Sequence, residues 1–161
     1  MLSLRPITPA DNPAVARVVR TVMPEFNCVG EGFSINDPEL DDMYAAYRQP
    51  RAAFYVLTTA ADAIVGVGGY APLDGGDGTV CELRKMYLLP EARGLGGGKL
   101  LMETCLAAAQ RDGFAAMYLE TVTAMTTAAQ VYAKYGFEPI DGPMGATGHS
   151  GCDRFMLKSF R

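Results

Sequence analysis

The stretch Lys85-Met-Tyr-Leu-Leu-Pro-Glu-Ala-Arg93-Gly-Leu-Gly-Gly-Gly-Lys99-Leu-Leu decides how this chain folds and what it can bind. An apolar strand pattern runs into a Pro-Glu turn, and a cluster of glycines then opens a helix. The first NH groups of a helix lack partners within it and lie at the positive end of its dipole. Glycines leave these groups accessible, and Lys99 adds a cation in the first turn. The stretch therefore predicts a site for phosphate oxygens.

Two familiar phosphate-binding patterns fail at specific positions. A Walker loop ending at Lys99 needs a glycine at Arg93 and a Ser or Thr at Leu100. A dinucleotide fingerprint starting at Gly94 needs its third glycine where the chain has Lys99. A glycine-rich turn with no ligand is the structural alternative. It leaves unexplained a cost of about 1 kcal/mol for each glycine that enters the helix.

A second segment, Tyr132-Ala-Lys-Tyr-Gly-Phe137, complements the glycine cluster. With Arg93-Gly-Leu-Gly-Gly-Gly98, it makes the chain resemble the GNAT superfamily of acyl-CoA N-acetyltransferases. The glycine cluster matches the superfamily's Arg/Gln-x-x-Gly-x-Gly/Ala signature, and the second segment is similar to its Tyr-x-Lys-x-Gly-Phe. The chain departs from the pattern at Met125, where many members carry an Asn that contacts the cofactor.

Hydrophobic periodicity and turn residues predict a mixed order of helices and strands. This order indicates an α/β fold with a mixed sheet, and the resemblance implies the GNAT-type acyl-CoA N-acyltransferase fold, as one domain over residues 1–161. The expected elements are helices at 8–23 and 37–50, strands at 52–58, 63–71 and 79–89, a helix to about 112, a strand at 118–121, a helix at 126–135, and strands near 137–140 and 154–160.

Composition excludes several classes of function. The net charge is −4, so binding to nucleic acid by general phosphate attraction is not expected. No apolar run reaches the roughly 18 residues that a membrane span needs, so no membrane partner is expected. The first residues lack a secretory pattern, which makes the cytoplasm the default location. Whether the chain forms a homodimer stays open.

The cysteines give no sign of a metal site or of a disulfide framework. Cys28, Cys81, Cys105 and Cys152 lie far apart in the sequence, and the chain has one histidine. Zinc sites and disulfide scaffolds have closer, recurrent spacings. We therefore expect no bound metal.

The resemblance implies acetyl-CoA as co-substrate and assigns residues to it. Backbone groups of Met86, Tyr87 and Leu88 would pair with the pantetheine arm as an added strand does. Backbone NH groups of the glycine cluster would hold the pyrophosphate, with contributions from Arg93, Gly94, Leu95, Gly96, Gly97, Gly98 and Lys99.

Two residues are candidates for acid and base catalysis. An amine with a pKa near 10.4 is almost entirely protonated at pH 7, so its attack on a thioester benefits from a base. Glu82 aligns in spacing with the glutamate that serves as general base in histone-acetylating members; its alternative role is a strand-surface carboxylate paired with Arg84. Tyr132 can protonate the departing thiolate, or its ring can simply pack in the core.

Aromatic residues and one histidine in two loops are candidates for binding the acceptor. Phe26 and Phe33 lie in an aperiodic loop, and His149 lies in a glycine-rich loop where a solvated side chain is the alternative. Together the residues predict transfer of an acetyl group from acetyl-CoA to a primary amine of a small molecule or peptide, by direct attack with base and acid assistance. A non-catalytic acyl-CoA-sensing or protein-interaction module is the alternative function; the presence of both Glu82 and Tyr132 argues against it. A nucleotide-binding protein is a third, weakened by the failed phosphate motifs.

Overall fold

A computed structural model describes the backbone of residues 1–161 and every side chain except that of Ser34. Seven strands form a single sheet, in which all neighbouring strands are antiparallel except the fourth and fifth. In chain order the strands are β1 (Ser3–Pro6), β2 (Ala53–Thr58), β3 (Ile64–Pro72), β4 (Val80–Leu88), β5 (Ala116–Thr121), β6 (Glu138–Ile140) and β7 (Arg154–Ser159). Their order across the sheet is β1-β2-β3-β4-β5-β7-β6. The predicted mixed α/β fold is confirmed.

Four α-helices flank the sheet. They are α1 (Asn12–Val22), α2 (Met43–Ala46), α3 (Gly97–Arg111) and α4 (Thr126–Lys134). Short 3₁₀ turns lie at Pro9–Asp11, Met23–Phe26, Ser34–Asn36, Pro38–Asp41 and Pro90–Ala92.

The helix predicted over 37–50 is wrong. The segment instead contains the 3₁₀ turn Pro38–Asp41 and the four residues of α2. Asp42 breaks the helix between them, with φ −144° and ψ 64°. Its carboxylate accepts a hydrogen bond from the backbone NH of Ala45 and another from the Asn12 side chain, 2.9 Å away. Because Asp competes for local backbone donors, it favours a cap at this position over a helix interior.

The two faces of the sheet carry separate hydrophobic clusters. On one face, α1 buries a stripe spaced as a helix requires, which includes Val15, Val18 and Val22. On the other face, α3 buries Met102 and Cys105 against the sheet, and Gly113 with φ 87° follows the end of this helix. The chain thus places α1 and α3 on opposite sides of β4.

A bulge in β4 changes the direction of its side chains. Its register with β3 shifts between Val67 and Gly69, and Lys85 has a left-handed φ of 51°. Leu83 and Met86 both pack in the α3 cluster, so the two residues between them face the other side of the sheet together. Simple alternation would have sent Lys85 into the α3 cluster.

β4 and β5 separate part-way along their length. Their pairing covers Val80–Glu82 and Ala116–Tyr118, although β4 continues to Leu88 and β5 to Thr121. β4 therefore extends from Leu83 to Leu88 beyond the segment that pairs with β5. This opening at the carboxyl ends of two parallel strands is where ligands bind in open α/β sheets.

Candidate active site

An opening of about 550 Å³, which we call the long groove, lies within the volume range of small-molecule sites. It runs from the end of β4 across the entrance of α3 to the side of α4. Many of the residues assigned to acetyl-CoA line it: Met86, Tyr87, Leu88, Arg93, Gly94 and Gly98. Tyr132 and Phe26 line it as well.

The glycines at the entrance of α3 serve different purposes. Gly94 and Gly96 have φ values of 77° and 83°, which a side chain rarely adopts, so they form the turn itself. Gly97 is buried, and an added Cβ there would collide with Leu57. Gly98 lines the long groove, with nothing within 4 Å of an added Cβ. The helix entrance thus packs closely on the sheet through one glycine and leaves another open to the groove.

The other residues of this stretch lie at the surface. Leu95 is exposed, and so is Lys99 in the first turn of α3. Arg93 lies beside the groove, where its guanidinium forms an ion pair of 3.0 Å with Glu25 and donates to the carbonyl of Leu88 at 3.1 Å. Two basic residues thus flank the entrance of α3, and one of them is paired with Glu25.

Tyr132 projects from α4 into the long groove. Its ring makes an edge contact with Phe137, at 6.0 Å between centroids. Desolvation raises the pKa of the phenol to about 12. The residue is thus both a packing residue and a group that holds its proton at neutral pH.

A second opening, the inner cleft, lies between the separated ends of β4 and β5. It is lined by Glu82 and Arg84 from β4, by Glu120 from β5, and by Phe33 and His149 from loops. Tyr87 and Met125 line both this cleft and the long groove, so the two openings meet at these residues.

Glu82 lies at the base of the inner cleft and is only 3% exposed. Arg84 Nε donates to its Oε1 at 2.8 Å. Burial raises the pKa of this carboxyl above its usual range, while the Arg84 guanidinium acts in the opposite direction. Glu82 is therefore paired with Arg84, which agrees with its alternative role as an ion-pair partner. It differs from that role in being buried in a cleft and not on the surface of the strand.

His149 joins the loops to the sheet. Its Nε2 lies 3.0 Å from both carboxylate oxygens of Asp37, and its Nδ1 lies 3.6 Å from Glu120 Oε1. Burial disfavours the imidazolium, but the hydrogen bonds to these two carboxylates prevail and raise the pKa of His149 to about 9. With this pKa the His149 side chain is a partly buried cation at neutral pH, and the alternative of a solvated loop histidine does not hold.

Glu82, Glu120 and His149 approach one another so closely that one potential ligand atom of each lies within 4.8 Å of the others. Each also has another partner: Arg84 for Glu82, the Tyr118 hydroxyl and Thr147 for Glu120, and Asp37 for His149. Two carboxylates and an imidazolium thus share one buried site, and the proton affinity of each depends on the others.

Lys85 is a site residue that the sequence did not indicate. Its ammonium is 1% exposed and binds Asp37 at 2.8 Å and Glu39 at 2.6 Å. The bulge turns Lys85 towards the 3₁₀ turn Pro38–Asp41, so it attaches this segment to β4 beside Arg84. The left-handed φ that brings Lys85 to the site is a feature of the structure that no sequence pattern indicated.

The two loops that cover the inner cleft are bound to each other. Gly151 NH donates to the carbonyl of Gly32 at 3.0 Å, and an added Cβ on Gly151 would lie 2.5 Å from the ring of Phe33. Of the three residues assigned to the acceptor, Phe33 and His149 thus line the inner cleft together, whereas Phe26 lines the long groove.

Comparison with known proteins shows which family shares this arrangement. A sequence profile of the Acetyltransferase (GNAT) family matches residues 17–137. The chain belongs to the GNAT acetyltransferase family. It is 42% identical over 156 residues to YjgM, an uncharacterised N-acetyltransferase of Escherichia coli K12, across 96% of this chain and 93% of that protein.

Solved GNAT structures share the fold. An acetyltransferase of Staphylococcus aureus Mu50 superimposes over 100% of both chains with a TM-score of 0.87 and 20% identity. The Salmonella typhimurium protein yncA, solved with acetyl-CoA, has a TM-score of 0.79 and 16% identity, over 99% of this chain and 94% of that one. The predicted superfamily and acetyltransferase class are confirmed, as is acetyl-CoA as the co-substrate of the family.

Met125 occupies an informative position in this GNAT acetyltransferase. It is the N-cap residue of α4, and its sulfur accepts a hydrogen bond of 3.5 Å from the Thr121 hydroxyl. A thioether has no NH donor, so the side-chain donor of the Asn that many members carry is absent here.

Among the helices that the structure describes, none is long and apolar enough to span a bilayer.

Proposed function

We propose that this acetyltransferase transfers the acetyl group of acetyl-CoA to a primary amine of a small molecule or peptide, by direct attack of the amine on the thioester. The observation that supports this most strongly is that the long groove and the inner cleft meet at Tyr87 and Met125. A thioester placed there has a buried carboxylate, Glu82, on the side of the inner cleft and a phenol, Tyr132, on the side of the long groove.

The long groove fits the co-substrate in two respects. Met86, Tyr87 and Leu88 line the groove on the part of β4 beyond its pairing with β5, where an extended pantetheine arm can lie alongside the strand. The entrance of α3 borders the same groove through Gly94 and Gly98, and Gly98 leaves room for phosphate oxygens to approach the first NH groups of the helix. Arg93 and Lys99 supply positive charge near the pyrophosphate.

Glu82 is the proposed base. Its raised pKa makes the carboxylate a stronger base than an ordinary glutamate, which suits proton abstraction near pH 7. Arg84 occupies one of its oxygens, so the proton passes to the other oxygen, directly or through a water. The neighbouring Glu120 carboxylate raises the pKa of Glu82 further, and His149 lowers it.

Tyr132 is the proposed acid. With a pKa of about 12 it holds its proton at neutral pH and can share it with an acceptor at hydrogen-bond distance. The thiolate that leaves when the amine attacks accepts this proton as the C–S bond breaks, and the proton that Glu82 has removed from the amine returns to the phenolate through solvent. Donation from Tyr132 then yields free CoA as the thiol.

Release of CoA thiol in the presence of an amine, together with acetylation of that amine detected by mass spectrometry, tests the proposal. Polyamines, amino acids, aminoglycosides and basic peptides form a suitable first panel. The alternative, an acyl-CoA-sensing or protein-interaction module, predicts that acetyl-CoA stabilises the fold while no amine is acetylated. The enclosed acid and base groups beside the groove support turnover.

A further inference from the structure

An outer cleft adjoins the inner cleft on the side away from the long groove. It has a volume of about 310 Å³ and shares Glu82, Arg84, Lys85 and His149 with the inner cleft. Its remaining charged residues are carboxylates on its rim: Asp37, Glu39 and Asp74. Any acceptor that reaches Glu82 from this side passes between these groups.

The positive and negative charges of the outer cleft lie at different depths. The side chains of the three cations, Lys85, Arg84 and His149, are 1%, 10% and 14% exposed. The rim carboxylates are more accessible: Asp37 is 22% exposed, Glu39 29% and Asp74 67%. A solute that enters therefore meets carboxylate oxygens first.

Each of the three cations already has carboxylate partners. Lys85 binds Asp37 and Glu39, and His149 lies between Asp37 and Glu120. Arg84 binds Glu82 at 2.8 Å and Asp74 at 3.3 Å. An acceptor carboxylate or phosphate would have to displace one of these partners and leave a partly buried charge unpaired, which is costly. A cationic group displaces nothing, because the rim carboxylates have accepting lone pairs left.

The total charge leads to the same conclusion. Four carboxylates line the outer cleft against three cations, so it keeps a net negative charge even with His149 protonated.

We propose that the acceptor of this acetyltransferase is a dication: a primary amine joined by a flexible chain to a second cationic group, as in a short diamine or polyamine. The amine enters the inner cleft and the second cation binds the rim at Asp37, Glu39 and Asp74. This inference rests on the proposed N-acetyltransferase function.

Three compounds that differ only at the far end of the chain test the proposal. They are 1,4-diaminobutane, butylamine and 4-aminobutanoate, which place a cation, a methyl group and a carboxylate at the same position. Homologous sets with chains of three to six carbons cover the spacing. With saturating acetyl-CoA, we expect kcat/KM for the best diamine to exceed that of the matched monoamine by about tenfold or more. The amino acid should be poorer still. The advantage of the diamine should decrease as salt is added, because the rim is partly exposed.

Variants show whether the rim causes the preference. Asp74→Asn and Glu39→Gln should each lower the ratio of diamine to monoamine kcat/KM by at least threefold. Asp62→Asn is a matched control with the same change of charge, since Asp62 is 78% exposed in the turn between β2 and β3. It should leave that ratio unchanged, and melting temperatures should confirm that all three variants fold.

The outcomes separate this inference from the function on which it rests. If monoamines or amino acids are acetylated as well as the diamines, the inference that the acceptor is a dication is wrong, while the proposed N-acetyltransferase function stands. A diamine preference that Asp74→Asn and Glu39→Gln leave intact would overturn the role of the rim. Stabilisation by acetyl-CoA with no acetylation of any amine, in this set or the wider panel, would overturn the proposed function and the inference together.

Discussion

Substitution of Gly98 separates the binding of phosphate from the stability of the fold. Gly98 is the second residue of α3, and an added Cβ there meets nothing within 4 Å. A side chain is therefore tolerated by the protein alone. Replacing a helical glycine with alanine stabilises a fold by about 0.5 to 1 kcal/mol, or roughly 1 to 4 °C in melting temperature for a domain of this size.

The effect on acetyl-CoA should be opposite for a larger side chain. The two γ-methyl groups of valine would fill the space through which phosphate oxygens reach the NH groups at the entrance of α3. A hydrogen bond to a charged group is worth about 1.5 to 3 kcal/mol, so the loss of two weakens binding by about a hundredfold or more. Gly98→Ala is the matched control, because the family signature accepts alanine here.

Thermal denaturation with and without acetyl-CoA measures both effects. At a hundredfold excess over its dissociation constant, acetyl-CoA should stabilise the wild type by about 2.7 kcal/mol, or roughly 5 to 10 °C. Gly98→Ala should keep that shift, and Gly98→Val should lose it while melting near the wild-type temperature without ligand. A full ligand-induced shift in Gly98→Val would refute the assignment of this groove.

Three other substitutions test separate parts of the site. Tyr132→Phe should lower turnover by about 10² while the thermal shift with acetyl-CoA is kept, and unchanged turnover would leave Tyr132 as a packing partner of Phe137. Gly151→Ala places a methyl group against the ring of Phe33, so the KM of the acceptor should rise severalfold with acetyl-CoA binding intact. An unchanged KM would contradict the assignment of Phe33 to the acceptor site. The pKa of His149 is about 9 in the folded protein against 6.5 in free histidine, so its protonation stabilises the fold fully below about pH 6.5 and ceases to do so as the pH rises through about 9. The contribution is on the order of 3 kcal/mol, so the melting deficit of His149→Gln should narrow from pH 6 to pH 9.5, and a deficit constant with pH would contradict it.

The parts of the fold that depend on local sequence were predictable. The strand, turn and glycine-rich entrance of α3 lie within 17 consecutive residues, and backbone geometry determines what they can bind. The segment from Tyr132 to Phe137 is local in the same way. The elements between them have clear periodicity, so their predicted bounds agree closely with those of the structure.

The charged cluster of the inner cleft could not be predicted, because distant segments form it. Asp37 and His149 are 112 residues apart in sequence, and Glu120 belongs to neither of their loops. Lys85 lies within the decisive stretch, but alternation assigns it to the core, and only the bulge brings it to the site. A carboxylate that caps a helix, as Asp42 does, also resembles an ordinary helical residue in the sequence.

The pH dependence of turnover in the wild type and Glu82→Gln tests the central claim, that a buried carboxylate in the inner cleft deprotonates the attacking amine. Gln keeps the size of the side chain but cannot take a proton, so turnover should fall by about 10² near pH 7. Loss of the Glu82 charge also lowers the pKa of His149, so the titration of the His149 imidazole is followed by NMR in both proteins and its effect on the ratio is subtracted. We predict that the ratio of wild-type to variant turnover shrinks from about pH 6 to about pH 9.5, because the amine increasingly arrives neutral. A ratio that stays constant with pH, with equal melting temperatures for the two proteins, would contradict the claim.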